Sequence, residues 1–206
     1  MGTTKNITRH NTACNNFRET EKGKQLMRVE TTCLKDCYII HDTLFEDSRG
    51  YFFESFNRKK FFELTGNDIN FVQDNQSKST KGVLRGLHFQ REESAQAKLV
   101  RVLEGKVLDV VVDLRKTSET FGKSFSIELS NISKLQLFVP RGFAHGFVVL
   151  SETATFFYKC DNYYDKQAEG GLLYNDPQLG IDWLLDEAEL ILSEKDKINP
   201  LLKDIL

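Results

Sequence analysis

The chain has few of the features that mark membrane, secreted or polyanion-coating proteins. Its 206 residues contain no apolar run of about 18 residues, the length that a membrane-spanning helix needs. The first 25 residues have no apolar stretch between their charges, so they predict no secretory signal. Lys and Arg (28) nearly balance Asp and Glu (30), which disfavours a nucleic-acid-coating surface. We expect a cytoplasmic protein that binds neither membrane nor nucleic acid.

Cysteine is also scarce. The four cysteines are Cys14, Cys33, Cys37 and Cys160, and their spacing lacks the second cysteine pair or paired histidines of a zinc site. Reduced, structural thiols are therefore expected. A bridge or a shared metal at Cys33 and Cys37 is the less favoured alternative, because two further ligands are missing nearby.

What the chain does have is short apolar runs broken by turns. Sixteen Phe and six Tyr supply the bulk of a substantial core. Runs of four to eight residues rich in Val, Ile and Phe are typical of strands. Glu104-Gly105 separates two of them, as a tight hairpin turn requires. The runs are CYIIH, GYFFESF, INFVQ, GVLRGLHF, KLVRVLEGKVLDVVVDL, FSIELS, LQLFVP, GFVVLS and TATFFYKC.

Only two stretches predict helix. One is Asn57–Leu64, which ends near a capping Gly66, and the other is DEAELILSEKD after Trp183. Residues 1–26 are polar and predict a flexible leader, followed by one domain over 27–206. Many short strands with few helices predict an all-β fold, either a sandwich or a barrel such as a jelly roll, with a few short peripheral helices.

His88 is the first residue that suggests chemistry. It lies in VLRGLHFQ, in a strand pair that also carries the cations Arg85, Lys98 and Arg101. Such cations in a small barrel are costly unless the interior is wet or holds an anion. Strict alternation would place Arg85 and His88 on opposite faces, but a bulge at Gly86 would turn both inward. A core histidine without a catalytic role is the alternative.

A second histidine follows a predicted strand in Pro140–His145. The Pro-x-Gly-x-x-His pattern resembles the second cupin motif, whose histidine binds a metal. The first cupin motif supplies His-x-His, but here the sequence has His88, Phe89 and Gln90. An amide in place of the second imidazole predicts a cupin that has lost its metal, since such metals prefer three or more imidazole or carboxylate ligands.

Two further residues have plausible structural explanations. Tyr158 in TFFYKC is typical of a strand aromatic with its hydroxyl at the rim. Asp196 closes Ser193-Glu194-Lys195-Asp196, which has the pattern of a helix capping box. From the residues alone, both structural roles remain open.

A series of longer motifs runs along the chain in a fixed order. The motifs are Arg49-Gly50, FVQDNQSKS, VLRGLHFQ, QAKLVRV, VVDLRKTSETFG, VPRGFAHGF, FYKCDNYY, YNDPQLGIDW and LSEKD. In this order they resemble the dTDP-4-dehydrorhamnose 3,5-epimerase family from about residue 27 to the C-terminus. The resemblance implies a metal-free, cofactor-free cupin jelly roll that forms homodimers. It also implies activity on dTDP-4-dehydro-6-deoxy-D-glucose in the route to dTDP-L-rhamnose.

The resemblance also implies four catalytic roles. The hydrogens at C3 and C5 flank the C4 ketone, so epimerisation needs a base on one face, an acid on the other and positive charge near the ketone oxygen. His88 matches the base, and Asp196 the carboxylate that orients it. Tyr158 matches the acid on the opposite face. Lys98 matches the cation near the C4 oxygen.

Substrate-binding positions are implied in the same way. Arg85 suits a pyrophosphate, because its guanidinium can donate two hydrogen bonds at once. Tyr164 matches an aromatic that stacks on thymine. The remaining implied substrate contacts are His145, Arg49, Glu54, Gln73, Asp74, Asn75, Glu169 and Lys195.

Two alternatives to the double epimerase remain. A single-position epimerase would use the same base and acid, because the choice between C3 and C5 depends on ring positioning. A catalytically silent sugar-nucleotide-binding cupin would have lost the base, its carboxylate or the acid, whereas His88, Asp196 and Tyr158 are all present.

Overall fold

The computed structural model describes residues 27–205. The predicted leader, residues 1–26, lies outside the described residues. The α-helix α1 is Arg58–Thr65. The strands are β1 Arg28–Thr31, β2 Tyr38–His41, β3 Phe45–Asp47, β4 Gly50–Phe52, β5 Gln73–Thr80, β6 Leu84–Gln90, β7 Lys98–Glu104, β8 Lys106–Asp113, β9 Ser124–Ser130, β10 Gln136–Val139, β11 Phe143–Val149, β12 Thr153–Cys160 and β13 Glu169–Gly171.

Two antiparallel sheets form the body of the structure. The first has the order β1-β2-β10-β7-β12-β5, and the second has the order β13-β6-β11-β8-β9. Their facing sides share one apolar core, in which Val100 and Phe156 of the first sheet pack with Val111 and Phe147 of the second. The predicted all-β jelly roll is confirmed, including the hairpin turn at Gly105 between β7 and β8.

Each sheet is also covered on its outer face. Helix α1 buries Phe61 against Phe138 and Ile40 of the first sheet. The helix begins where the Asn57 side chain accepts a hydrogen bond from the Lys60 N–H, and ends at Gly66 in the left-handed region. The helix predicted there is confirmed. The C-terminal segment, residues 172–205, covers the second sheet with a separate apolar cluster.

The helix predicted after Trp183 is wrong. The region contains only short 3₁₀ turns at Glu187–Glu189 and Asp196–Ile198. Between them the chain is extended, because the Ile191 N–H donates to the Gly82 carbonyl and the Leu84 N–H donates to the Ile191 carbonyl. Backbone pairing with the second sheet replaces the internal hydrogen bonds of a helix.

The polar strand β5 was not predicted either. Its sequence, QDNQSKST, lacks an apolar face, yet it pairs with β12 along its whole length. The apolar run INFVQ that precedes it is not a strand, except for its last residue, Gln73. The extended conformation of β5 therefore depends on pairing with β12 and not on burial of its own side chains.

Residues 43–54 form a feature that we call the arm. Its strands β3 and β4 make a separate two-stranded sheet, and all their residues are exposed. Three aromatic side chains are on its surface, with exposed fractions of 58% for Phe45, 57% for Tyr51 and 70% for Phe52. The three side chains give the arm an exposed apolar surface.

Candidate active site

A cavity of about 590 Å³ opens between the two sheets. Strands of both sheets and the C-terminal segment contribute to its lining. Eight of the side chains implied by the family resemblance line this cavity, namely Asn75, Arg85, His88, Lys98, His145, Tyr158, Lys195 and Asp196. The fold therefore brings together all four predicted catalytic side chains.

A bulge in β6 turns Arg85 and His88 to the same side. His88 pairs with His145, and Arg85 pairs with Phe147. Between these two pairs β6 advances by three residues and β11 by only two, so β6 contains one extra residue. Gly86 has a φ of +137°, and a Cβ there would lie 2.5 Å from the Cα of Gly146. Only glycine fits this close approach of backbones. The expected bulge is present in the structure.

His88 and Asp196 form a hydrogen-bonded pair at the cavity wall. Nε2 of His88 lies 2.6 Å from Oδ1 of Asp196, which the Asp196–Ile198 turn places beside β6. Burial raises the pKa of Asp196, but hydrogen bonds from His88, Ser193 and the Gly86 backbone outweigh it, so its pKa lies below the ordinary value. The Asp196 N–H donates to Oγ of Ser193, so one half of the predicted capping box is present, while the carboxylate turns to His88.

Tyr158 and Lys98 occupy the opposite wall, on strands of the first sheet. Nζ of Lys98 lies 5.8 Å from the centre of the Tyr158 ring. Burial raises the pKa of Tyr158 above its ordinary value, so the phenol keeps its proton at neutral pH. Burial lowers the pKa of Lys98, and the neighbouring Cys160 and Asp109 oppose this shift. The cavity thus has a proton donor on the wall opposite the His88 imidazole.

A second histidine–carboxylate pair lies deeper between the sheets. Nε2 of His145 is 2.9 Å from Oδ2 of Asp109, whose side chain is fully buried. Burial raises the pKa of Asp109, although His145 and Lys98 oppose it. Sequence reasoning missed Asp109, although a charged residue in the middle of VLDVVVDL was a usable signal, since buried carboxylates are paired.

A chain of polar contacts continues beside the cavity. Oε1 of Gln73 accepts from the Tyr164 N–H, and the Gln73 amide donates to Asn75. The Tyr164 hydroxyl donates to Glu169, whose other carboxylate oxygen pairs with Lys195 at 2.6 Å. Predicted substrate contacts from four separate segments are therefore neighbours.

Besides Gln73, Tyr164 and Glu169, which lie beside the cavity, three further predicted substrate contacts do not line it. Asp74 is paired with Lys159 of β12, with its Oδ1 2.8 Å from the Lys159 Nζ. Arg49 lies in the arm and pairs with Asp47. Glu54, at the end of the arm, pairs with Lys60 of α1 at 2.7 Å.

Residues 27–205 contain no cluster of three or more His, Cys, Asp or Glu side chains arranged to hold a metal ion. Cys33, Cys37 and Cys160 are free thiols, as expected, so Cys33 and Cys37 form no bridge, and Cys14 lies outside the described residues. No helix in the described part of the chain is long and apolar enough to cross a membrane.

Comparisons with known proteins agree on one family. A family model described as dTDP-4-dehydrorhamnose 3,5-epimerase matches residues 31–204. The Salmonella typhimurium protein of that name is 52% identical over 181 residues, which are 88% of this chain and 98% of the relative. The Escherichia coli protein of that name is 50% identical over 171 residues, covering 83% of this chain and 92% of the relative.

Solved structures show the same likeness. The crystal structure of dTDP-4-dehydrorhamnose 3,5-epimerase from Elizabethkingia anophelis has a TM-score of 0.84 and 63% identity, covering 86% of this chain and 97% of that one. A Legionella pneumophila dTDP-6-deoxy-D-glucose-3,5-epimerase in complex with dTDP-4-keto-L-rhamnose has a TM-score of 0.83 and 48% identity. It covers 87% of this chain and 95% of that one.

Proposed function

The chain belongs to the dTDP-4-dehydrorhamnose 3,5-epimerase family, and on that premise we propose that it inverts C3 and C5 of dTDP-4-dehydro-6-deoxy-D-glucose. The observation that carries this proposal is the His88–Asp196 pair, 2.6 Å apart, facing Tyr158 across the cavity. A base and an acid on opposite walls are what inversion at a carbon next to a ketone requires. The product would be the 4-keto precursor of dTDP-L-rhamnose.

In this mechanism His88 removes the proton from C5 or C3. Asp196 fixes the orientation of the imidazole and stabilises the positive charge that the ring acquires. Its lowered pKa keeps it ionised for this task. Tyr158 then donates a proton from the opposite wall, so that the carbon returns with inverted configuration.

Lys98 would stabilise the enolate formed between these steps. Negative charge develops on the C4 oxygen, and a preorganised cation beside that oxygen stabilises it. Removing one such donor typically costs about 10²–10³ in rate. The partly buried position of Lys98 beside the Tyr158 ring supports this role.

The nucleotide part of the substrate would lie over the polar chain beside the cavity. Arg85 lines the cavity and its Nε donates to Ser79, which leaves its terminal nitrogens for the diphosphate. The exposed ring of Tyr164 offers a stacking face for thymine. Lys195 adds positive charge at the rim.

We further propose a homodimer in which the arm reaches the partner's cavity. The arm exposes Phe45, Tyr51 and Phe52, and its Arg49 and Glu54 lie away from the cavity of their own chain. A second copy would cover the aromatics and bring both charged residues to substrate. Light scattering should give twice the 23.7 kDa of one chain. The enzyme would act in the cytoplasm without a metal or cofactor.

Turnover in deuterated water tests the activity. The protein is incubated with dTDP-4-dehydro-6-deoxy-D-glucose, and NMR locates deuterium and configuration at C3 and C5. We expect deuterium and inversion at both carbons, with no change in rate after chelation. Deuterium at one carbon would establish the single-position alternative, and a folded protein that incorporates none would establish the silent cupin.

A further inference from the structure

The two ends of the arm meet at one buried amide. Gln136 is the first residue of β10, and its side chain is almost inaccessible to solvent. Its Nε2 donates to the Asp42 carboxylate at 2.7 Å and to the Ser55 carbonyl at 2.8 Å. Asp42 directly precedes the arm and Ser55 directly follows it, so Gln136 ties both ends to the first sheet.

A neighbouring side chain makes a second contact with the arm. Arg101 of β7 is the cross-strand partner of Gln136. Its guanidinium carbon lies 4.8 Å from the centre of the Phe53 ring in the arm. Gln136 and Arg101 therefore hold the root of the arm from adjacent strands, and we call these two residues the clasp.

The clasp buries polar groups, and their desolvation costs free energy. Burial raises the pKa of Asp42 to about 7, although the Gln136 hydrogen bond and Arg101 oppose this shift. Oδ1 of Asp42 is buried and has no hydrogen-bond partner among the described residues. Leucines at both position 136 and position 42 would fill similar space without the amide and the carboxyl group. Buried polar contacts of this kind fix a particular geometry rather than add stability.

We propose that Gln136 is a positioning residue that sets the direction of the arm and thereby places Arg49 at the substrate of the partner subunit. This inference rests on the homodimer of the proposed function. Gln136 does not line the cavity and the clasp holds no proton-transfer group, so the clasp acts on substrate binding and leaves the chemical step unchanged.

A double-mutant cycle tests the inference, using Gln136→Leu, Arg49→Ala and the combination. Arg49→Ala should raise KM about 10- to 100-fold with kcat unchanged, because a hydrogen bond to a charged group is lost. Gln136→Leu should raise KM about tenfold with kcat within about twofold. The double variant should have the KM of Arg49→Ala alone, because an arm without Arg49 has nothing left to place.

The outcomes separate the inference from its premise. An unchanged KM for Arg49→Ala overturns the proposed role of the arm itself. If Arg49→Ala raises KM while Gln136→Leu does not, or if the two effects add, the clasp inference is overturned and the dimer proposal survives. A fall in kcat at constant KM also overturns it, since that pattern indicates a smaller folded fraction.

One further variant controls for stability, and a second replaces Gln136→Leu if that variant does not fold. Leu202→Ala removes a buried side chain from the apolar cluster on the outer face of the second sheet, which includes neither residue of the clasp, and should lower the melting temperature without raising KM. If Gln136→Leu does not fold, Arg101→Met removes the contact with Phe53 from the partly exposed member of the clasp. It should raise KM several-fold in the same non-additive way, and an unchanged KM would refute the inference.

Discussion

The two histidine–carboxylate pairs of this protein are neighbours with different surroundings. His88 and His145 are partners in the register of β6 and β11. The His88 side chain is 33% exposed and its Asp196 comes from the C-terminal segment. The His145 side chain is 7% exposed, and its partner Asp109 lies fully buried on the adjacent strand β8.

The pKa directions of the two carboxyl groups differ accordingly. Hydrogen bonds to Asp196 overcome the effect of burial and lower its pKa, whereas burial raises the pKa of Asp109 despite its contact with His145. A base that must take up and release protons needs access to substrate and a carboxylate that stays ionised. The His88 pair has the more exposed imidazole and the carboxyl group with the lowered pKa, so we propose proton transfer by His88 and a supporting role for the buried pair.

The largest effect is expected from His88→Asn. The amide cannot act as a base, so turnover should fall by about 10²–10⁴-fold while the nucleotide still binds. NMR of the product and titration with dTDP measure the two quantities. If the variant keeps near-normal turnover, the assignment of proton transfer to the His88–Asp196 pair is wrong, and His145 becomes the first candidate base.

Tyr158→Phe tests whether Tyr158 is the acid on the cavity wall opposite His88. The variant keeps the ring and His88 but loses the acidic hydroxyl, so proton removal should continue while inversion falls by about 10²-fold. The proton would then return through His88 to the original face. Deuterium exchange at C3 and C5 is compared with inversion by NMR. Equal losses of both would move Tyr158 from the acid role to binding or deprotonation.

Asp196→Asn and Asp109→Asn form a matched pair of changes. Asp196→Asn should lower kcat by about tenfold or more, because the imidazolium loses its counter-charge. Asp109→Asn should lower kcat less, because His145 is not expected to exchange protons with the substrate. Steady-state kinetics with thermal melting as the folding control measure both. A larger loss of kcat for Asp109→Asn than for Asp196→Asn would contradict the assignment of proton transfer to His88.

The smallest expected effect is a shift in the alkaline limb of the profile of kcat against pH. The lowered pKa of Lys98 means that its charge, and with it the rate, is lost as pH rises, at a pH below 10.5. Lys98→Arg keeps the charge and should move this limb upward, toward the raised pKa of Tyr158. Profiles of kcat against pH measure the shift. An unmoved limb would exclude Lys98 as the titrating cation.

Local signals in the sequence accounted for much of the fold. Helix α1 was predictable because Asn57 and Gly66 determine its two ends, and the bulge in β6 because Gly86 permits it. The extended segment around Ile191 was not predictable, because its conformation depends on backbone partners at Gly82 and Leu84, about 100 residues earlier in the chain. Local pattern contains no information about such partners.

The site was predicted unevenly for a similar reason. Motifs identified eight of the residues that line the cavity, and the fold brings His88 and Asp196 together as expected. Motifs did not reveal that Arg49 lies in the arm, away from the cavity of its own chain, because spacing along a chain does not determine distances in the fold. Asp109 was missed because it belongs to no motif that was used.

The separation of His88 and Asp196 along the chain has a consequence for folding kinetics. They are 108 residues apart, and Tyr158 lies on a different sheet from His88. Closing so long a loop is entropically unfavourable, and folds dominated by such distant pairings form slowly. A chain with only local hairpins formed has the base without its carboxylate. During refolding, the return of epimerase activity should therefore report the completion of the whole double-sheet structure, later than the return of strand content measured by circular dichroism.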